Sequence, residues 1–127
     1  MVDLVARYGI DLEAEVNGAR LLLGEGLEFC VARWNNPEFT KVLGEELDAY
    51  RGATITPELD RELMNRAIAK TIIKGWKGVE LEGQALEYSW DNAFKILAHP
   101  QLQDLRAQIV AFAQNVDNYR LRVTQRT

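Results

Sequence analysis

The sequence predicts an α+β fold: an N-terminal three-stranded antiparallel β-meander followed by about four α-helices, the last one longest. Three observations predict it. In the first third of the chain apolar and polar residues alternate with a period of two, the pattern of a half-buried strand. From Asn36 onward the period becomes helical, so strands precede helices, the α+β order rather than βαβ alternation. Finally, 127 residues with 47% hydrophobic and 27% charged side chains suit one domain, residues 1–127, with its own core.

Residues 1–9 show no period and are expected to form a flexible arm. The meander is expected over 10–34. Leu12, Ala14 and Val16 alternate with Glu13 and Glu15 as a first strand, and Asn17-Gly18 suits a type I′ hairpin turn. Ala19 to Leu23 returns as a second strand. After the flexible Gly24-Glu25-Gly26 turn, Leu27 to Trp34 makes the third.

The helical part is expected over 36–123. Asn36 is a good N-cap and Pro37 sits at the first helical position, where its missing N–H costs nothing. Phe39, Val42, Leu43, Leu47 and Tyr50 form one stripe, closed by Arg51-Gly52. Thr56 and Pro57 open the next helix in the same way. Its inward face is Leu59, Leu63, Ala67, Ile68 and Ile72, and Gly75 is its expected stop. Trp76 to Tyr88 loses the helical period and reads as an extended or hairpin-like connector. Ser89 caps a third helix that His99-Pro100 ends, and the longest helix follows over about Gln101 to Val123.

Chemistry is mostly eliminated. Cys30 and His99 are the only residues of their types, so a disulfide within the chain and a zinc site rich in nitrogen or sulfur are excluded. Cys30 lies in a strand pattern and His99 at a helix junction, where packing and capping are their ordinary roles. No Gly-x-Ser-x-Gly elbow, calcium loop or phosphate-binding loop occurs, so no catalytic residue, metal ligand or cofactor is assigned. A formal charge of −4 and a pI near 5.0 oppose non-specific nucleic-acid binding. No apolar run is long enough to span a bilayer and no secretory signal is seen, so a cytoplasmic location is expected.

Two features then point to protein partners. Trp76 and Lys77, in the Gly75-Trp76-Lys77-Gly78 turn, can grip a partner by cation–π contact, or Trp76 can plug the end of the core. The second is the last helix, where Leu102, Leu105, Ile109, Phe112, Val116, Tyr119 and Val123 form an a/d seam. Leu102 to Phe112 is expected to pack on the domain's own helices. Val116, Tyr119 and Val123, with Arg120 beside them, are the candidates for an external protein surface.

The stretch Ile72-Ile73-Lys74-Gly75-Trp76-Lys77-Gly78-Val79, then Tyr88-Ser89-Trp90-Asp91-Asn92-Ala93 and Leu97, resembles the tail assembly chaperones of long, non-contractile-tailed (siphovirus-type) bacteriophages. That family has a helix ending in a Gly-Trp-x-Gly turn, a short glycine-containing connector, and Tyr-Ser at the start of the next helix. Val31-Ala32-Arg33-Trp34-Asn35-Asn36-Pro37-Glu38-Phe39 is similar to it as well, while Trp90 stands where the family often has proline. The resemblance covers most of residues 27–105.

It implies a non-enzymatic chaperone in viral tail assembly and virion morphogenesis, working in the host cytoplasm and absent from the mature virion. Its partners would be the tape measure protein, kept soluble, and the major tail tube protein, engaged through a longer product of translational frameshifting. Self-association is a further expectation. The alternative is a structural virion component, a head-tail connector or tail completion protein.

Overall fold

The structure is a computed structural model and describes residues 1–121. It differs from the expected architecture at its N-terminal end, where one short helix lies within the expected arm and a second replaces the first strand. Helix α1 is Leu4–Tyr8 and α2 is Leu12–Asn17. Asp11 caps α2, its carboxylate accepting from the Glu13 and Ala14 N–H groups at 3.1 Å each. Leu12, Ala14 and Val16 therefore lie on a helix, and Leu12 is exposed. Asn17-Gly18 is not a hairpin turn: Gly18 follows the helix at φ 107°, with its N–H bonded to the Ala14 carbonyl.

The sheet begins only after Gly18. Strands β1, Ala19–Gly24, and β2, Leu27–Val31, form an antiparallel hairpin. The third strand comes from far along the chain, β3 at Ile73–Lys77, giving the order β1-β2-β3. The expected contiguous meander over 10–34 is thus corrected: its first strand is helical and its third partner follows a helix.

Between them lie α3, Pro37–Asp48, and α4, Pro57–Thr71, each with proline in its first turn. Their caps are the expected ones. Asn36 Oδ1 accepts from Phe39 N–H at 3.0 Å, and Thr56 Oγ1 from Leu59 N–H at 3.1 Å. Asn36 is also buried, and its amide donates to the Arg33 carbonyl at 2.9 Å, tying helix start to sheet end. Helix α4 stops at Thr71 rather than running to Gly75, because Ile73 to Lys77 pairs with β2 instead.

A two-stranded hairpin follows, β4 Glu80–Leu81 and β5 Gln84–Ala85, then α5, Trp90–Ala98, capped by Ser89. A 3-10 turn at Pro100–Leu102 leads into α6, Gln103–Gln114. Phe29 and Val31 from β2, Ile68 from α4, Leu97 from α5 and Ile109 from α6 meet in one buried cluster. None of these helices is long and apolar enough to cross a membrane among the described residues.

The expected long helix to Val123 is also corrected. Helix α6 ends at Gln114, Asn115 is extended, and Val116–Tyr119 forms a 3-10 turn. Two asparagines compete with the helix through their own side chains. Asn115 Oδ1 accepts from Asp117 N–H at 3.0 Å, and Asn118 Nδ2 donates to the Phe112 carbonyl at 2.9 Å. The turn then folds back: Asp11 N–H donates to the Tyr119 carbonyl, Leu121 N–H to the Gly9 carbonyl, and Ile10 bridges Arg120.

Candidate partner-binding surface

The Trp76–Tyr88 connector is built onto the end of the sheet. In the β2–β3 ladder Phe29 opposes Trp76 and Glu28 opposes Lys77. Trp76 is half-buried and held on three sides. Its indole N–H donates to the Leu86 carbonyl at 2.8 Å, and its ring meets Phe29 and Tyr88 edge-on at 5.7 and 5.2 Å. Tyr88 in turn donates its hydroxyl to the Ile73 carbonyl at 2.8 Å, and burial pushes its pKa up. Trp76 therefore anchors the connector as well as bordering the surface. Lys77 is exposed beside it.

Two glycines make this geometry. Gly78 has φ 72°, and a Cβ there would sit 2.4 Å from the Gly26 carbonyl oxygen, so the connector touches the β1–β2 turn through backbone alone. Glu82 and Gly83 both have positive φ, 52° and 84°, and close the β4–β5 hairpin as a two-residue loop between Leu81 and Gln84.

Two concavities adjoin the connector. One is open and shallow, lined by Trp76, Lys77, Glu80, Leu86, Glu87 and Tyr88. The other is a more enclosed apolar cleft of about 250 Å³, with Leu27, Val79, Leu81, Leu102 and Leu105 among its walls and Phe29 and Ile96 at its base. Glu80 borders both. The cleft escapes sequence reading because its walls come from β2, the connector, α5 and the start of α6. The one sequence signal for it is the break in helical period at Val79 and Leu81.

The remaining expected contacts lie elsewhere. Tyr119 is fully buried, its hydroxyl donating to the Val31 carbonyl at 2.8 Å, so it is a core residue rather than part of an external surface. Burial holds its pKa far above the usual value near 10. Val116 is half-buried in the 3-10 turn, and Arg120 donates to the Tyr8 carbonyl at 3.0 Å. Val123 lies outside the described residues. The seam read along 102–123 thus breaks at Asn115, and Trp76 and Lys77 share a surface that does not include Tyr119.

Cys30 and His99 each have a partner of their own. The Cys30 thiol donates to the Asn17 carbonyl at 3.3 Å, and burial pushes its pKa up, which disfavours the nucleophilic thiolate. His99 Nδ1 accepts from Gln101 N–H at 3.1 Å, and its Nε2 lies 3.3 Å from Glu82. Among the described residues no three His, Cys, Asp or Glu side chains gather as a metal site.

No curated protein and no solved structure matches this chain. A family model does, that of the YdaY prophage protein, over residues 35–127. The match takes in α3, α4, the whole Trp76–Tyr88 connector, α5 and α6, leaving outside it the N-terminal helices and the β1–β2 hairpin. The chain is phage-derived and belongs to the YdaY prophage protein family.

Proposed function

We propose that this protein is a non-catalytic tail assembly chaperone, working in the host cytoplasm and absent from the finished virion. It binds the tape measure protein and keeps it soluble until tail tube subunits are recruited, the latter through a longer frameshifted product. One observation carries the reading. The residues that resemble the chaperone family, Gly75 to Val79 and Tyr88-Ser89, build the connector, and that connector walls an apolar cleft open to solvent. A holdase needs such a surface, because its client exposes apolar segments that would otherwise associate with one another. Trp76 sets the connector, while Lys77 borders its open side. Membership of a prophage family supports the phage setting.

The test is co-expression with the tape measure protein of the same prophage. The client should move from the insoluble to the soluble fraction and co-purify with this chain. A client equally insoluble with and without it would overturn the proposal. Mass spectrometry of purified particles should find the chain missing, whereas stoichiometric copies in the virion would identify a structural component instead.

A further inference from the structure

Strand β1 is an edge of the three-stranded sheet, and the hairpin register shows which of its backbone groups face outward. Glu25 and Gly26 have φ 53° and 79°, the signs of a type I′ turn, so Gly24 and Leu27 form its hydrogen-bonded closing pair. Successive residues of an antiparallel strand bond to opposite sides. Leu27 and Phe29 therefore bond to β1, and Glu28 and Cys30 to β3. Ala32 continues the alternation, its N–H donating to the Ile72 carbonyl at 2.7 Å. On β1, Leu21 is the partner of Phe29, so Arg20 and Leu22 turn their N–H and C=O groups to the free edge. Among the described residues no backbone or side-chain group bonds them there. The strand has neither the lysine nor the proline that commonly guards an edge.

We infer that two copies of this chain pair through this edge, β1 against β1, into one six-stranded sheet. The edge matches itself. With a two-fold axis at Leu21, Arg20 lies opposite Leu22 of the second copy and Leu22 opposite its Arg20. Each of these two pairs exchanges both its bonds, so four hydrogen bonds form and all four outward N–H groups are used. The two Leu21 side chains meet at the axis on the core face. On the other face Leu22, 63% exposed, comes within diagonal reach of its copy. Arginine never faces arginine, and each Arg20 keeps its two-pronged bond to its own Glu28, at 2.9 and 3.1 Å. The bulge between Leu22 and Gly24 lies outside the paired stretch in both copies. A foreign strand would make the same backbone bonds but not these matched leucine contacts.

So short a pairing makes a transient dimer. Sedimentation velocity on the full 127-residue chain, from about 10 μM to about 1 mM, should show a monomer–dimer equilibrium. Amide hydrogen exchange followed by NMR locates the contact. The Arg20 and Leu22 N–H groups should exchange fast in dilute solution and at least tenfold more slowly in concentrated solution. The Leu21 N–H, bonded to β2, should be protected in both. Leu22→Lys sets an ammonium against Arg20 of the second copy. It should weaken the dimer at least tenfold at an unchanged unfolding midpoint. Leu22→Pro removes only an outward N–H from the backbone and should weaken it similarly.

A dimer whose Arg20 and Leu22 amides stay fast, or a Leu22→Lys variant that dimerises like the parent, would overturn the assignment. Protection of both amides at every dilution would also overturn it, since the edge would then be covered within one chain. A chain still monomeric at the highest concentration would overturn it too. If added tape measure protein then protected the two amides, the edge would belong to a client strand instead. The dimer measurements involve no client, so the chaperone reading stands or falls separately.

Discussion

The Tyr119 hydroxyl donates a 2.8 Å hydrogen bond to the carbonyl of Val31, joining positions 88 residues apart in a fully buried setting. Removing the hydroxyl leaves that carbonyl short of a partner. Tyr119→Phe should therefore cost about 1–2 kcal/mol, and Tyr119→Ala about 3–5 kcal/mol through the cavity it opens. Urea denaturation followed by circular dichroism measures both. An unchanged midpoint for Tyr119→Ala would contradict the buried placement.

The same residue sets an alkaline limit. Burial raises the folded-state pKa of Tyr119 well above its ordinary value near 10. The unfolded chain therefore loses this proton first as pH rises, and stability present below about pH 10 declines above it. The slope is about 1.4 kcal/mol per pH unit for one such group. Tyr88 and Cys30, also raised by burial, act in the same direction. Tyr119→Phe should flatten this decline, which stability curves between pH 9 and 11 measure.

At the acid end the sign reverses. Burial opposes ionisation of Glu46, but Lys70 at 2.9 Å and Arg66 at 3.5 Å outweigh it and hold the carboxyl below its usual value of 4.5. Stability from this group is present above pH 4.5 and lost as pH falls through the depressed folded value. Glu46→Gln should be less stable at neutral pH by about 0.5–1 kcal/mol and lose less on acidification.

Gly78 and Gly83 both have positive φ, 72° and 84°, yet they should respond differently to alanine. A Cβ on Gly78 meets the Gly26 carbonyl at 2.4 Å, whereas one on Gly83 meets open space. Gly83→Ala should cost about 1–2 kcal/mol of backbone strain alone. Gly78→Ala should cost more than that and displace the connector, changing Trp76 fluorescence. Equal destabilisation by the two would count against the backbone contact.

Much of the helical part is legible because its signals are local. Asn36-Pro37, Thr56-Pro57 and Ser89 mark helix starts through chemistry that needs no partner, and all three caps form. The sheet is less legible because pairing is non-local. Ile73 to Lys77 continues the apolar run of α4, and only β2 opposite it makes that run a strand. Leu12, Ala14 and Val16 span too few residues for period to separate strand from helix, and the Asp11 cap decides for helix. The stripe of α6 extends past Asn115 on paper, but Asn115 and Asn118 redirect the backbone and carry Tyr119 inward.

For the candidate surface, Trp76 and Lys77 could be read from type and spacing, and the cleft could not. Leu27 and Leu105 are far apart in sequence and meet only once β3 has paired and α6 has docked.

The return of Tyr119 to Val31 also orders events during synthesis. A ribosome makes the hairpin, the four longer helices and the connector before it adds residue 119. Until then the nascent chain has a gap where that ring belongs, with Asp11 N–H and the Val31 carbonyl awaiting their partners. Release of this segment from the exit tunnel is thus the step that seals the interior. Before that moment the growing polypeptide is itself a chain with an unfinished apolar surface.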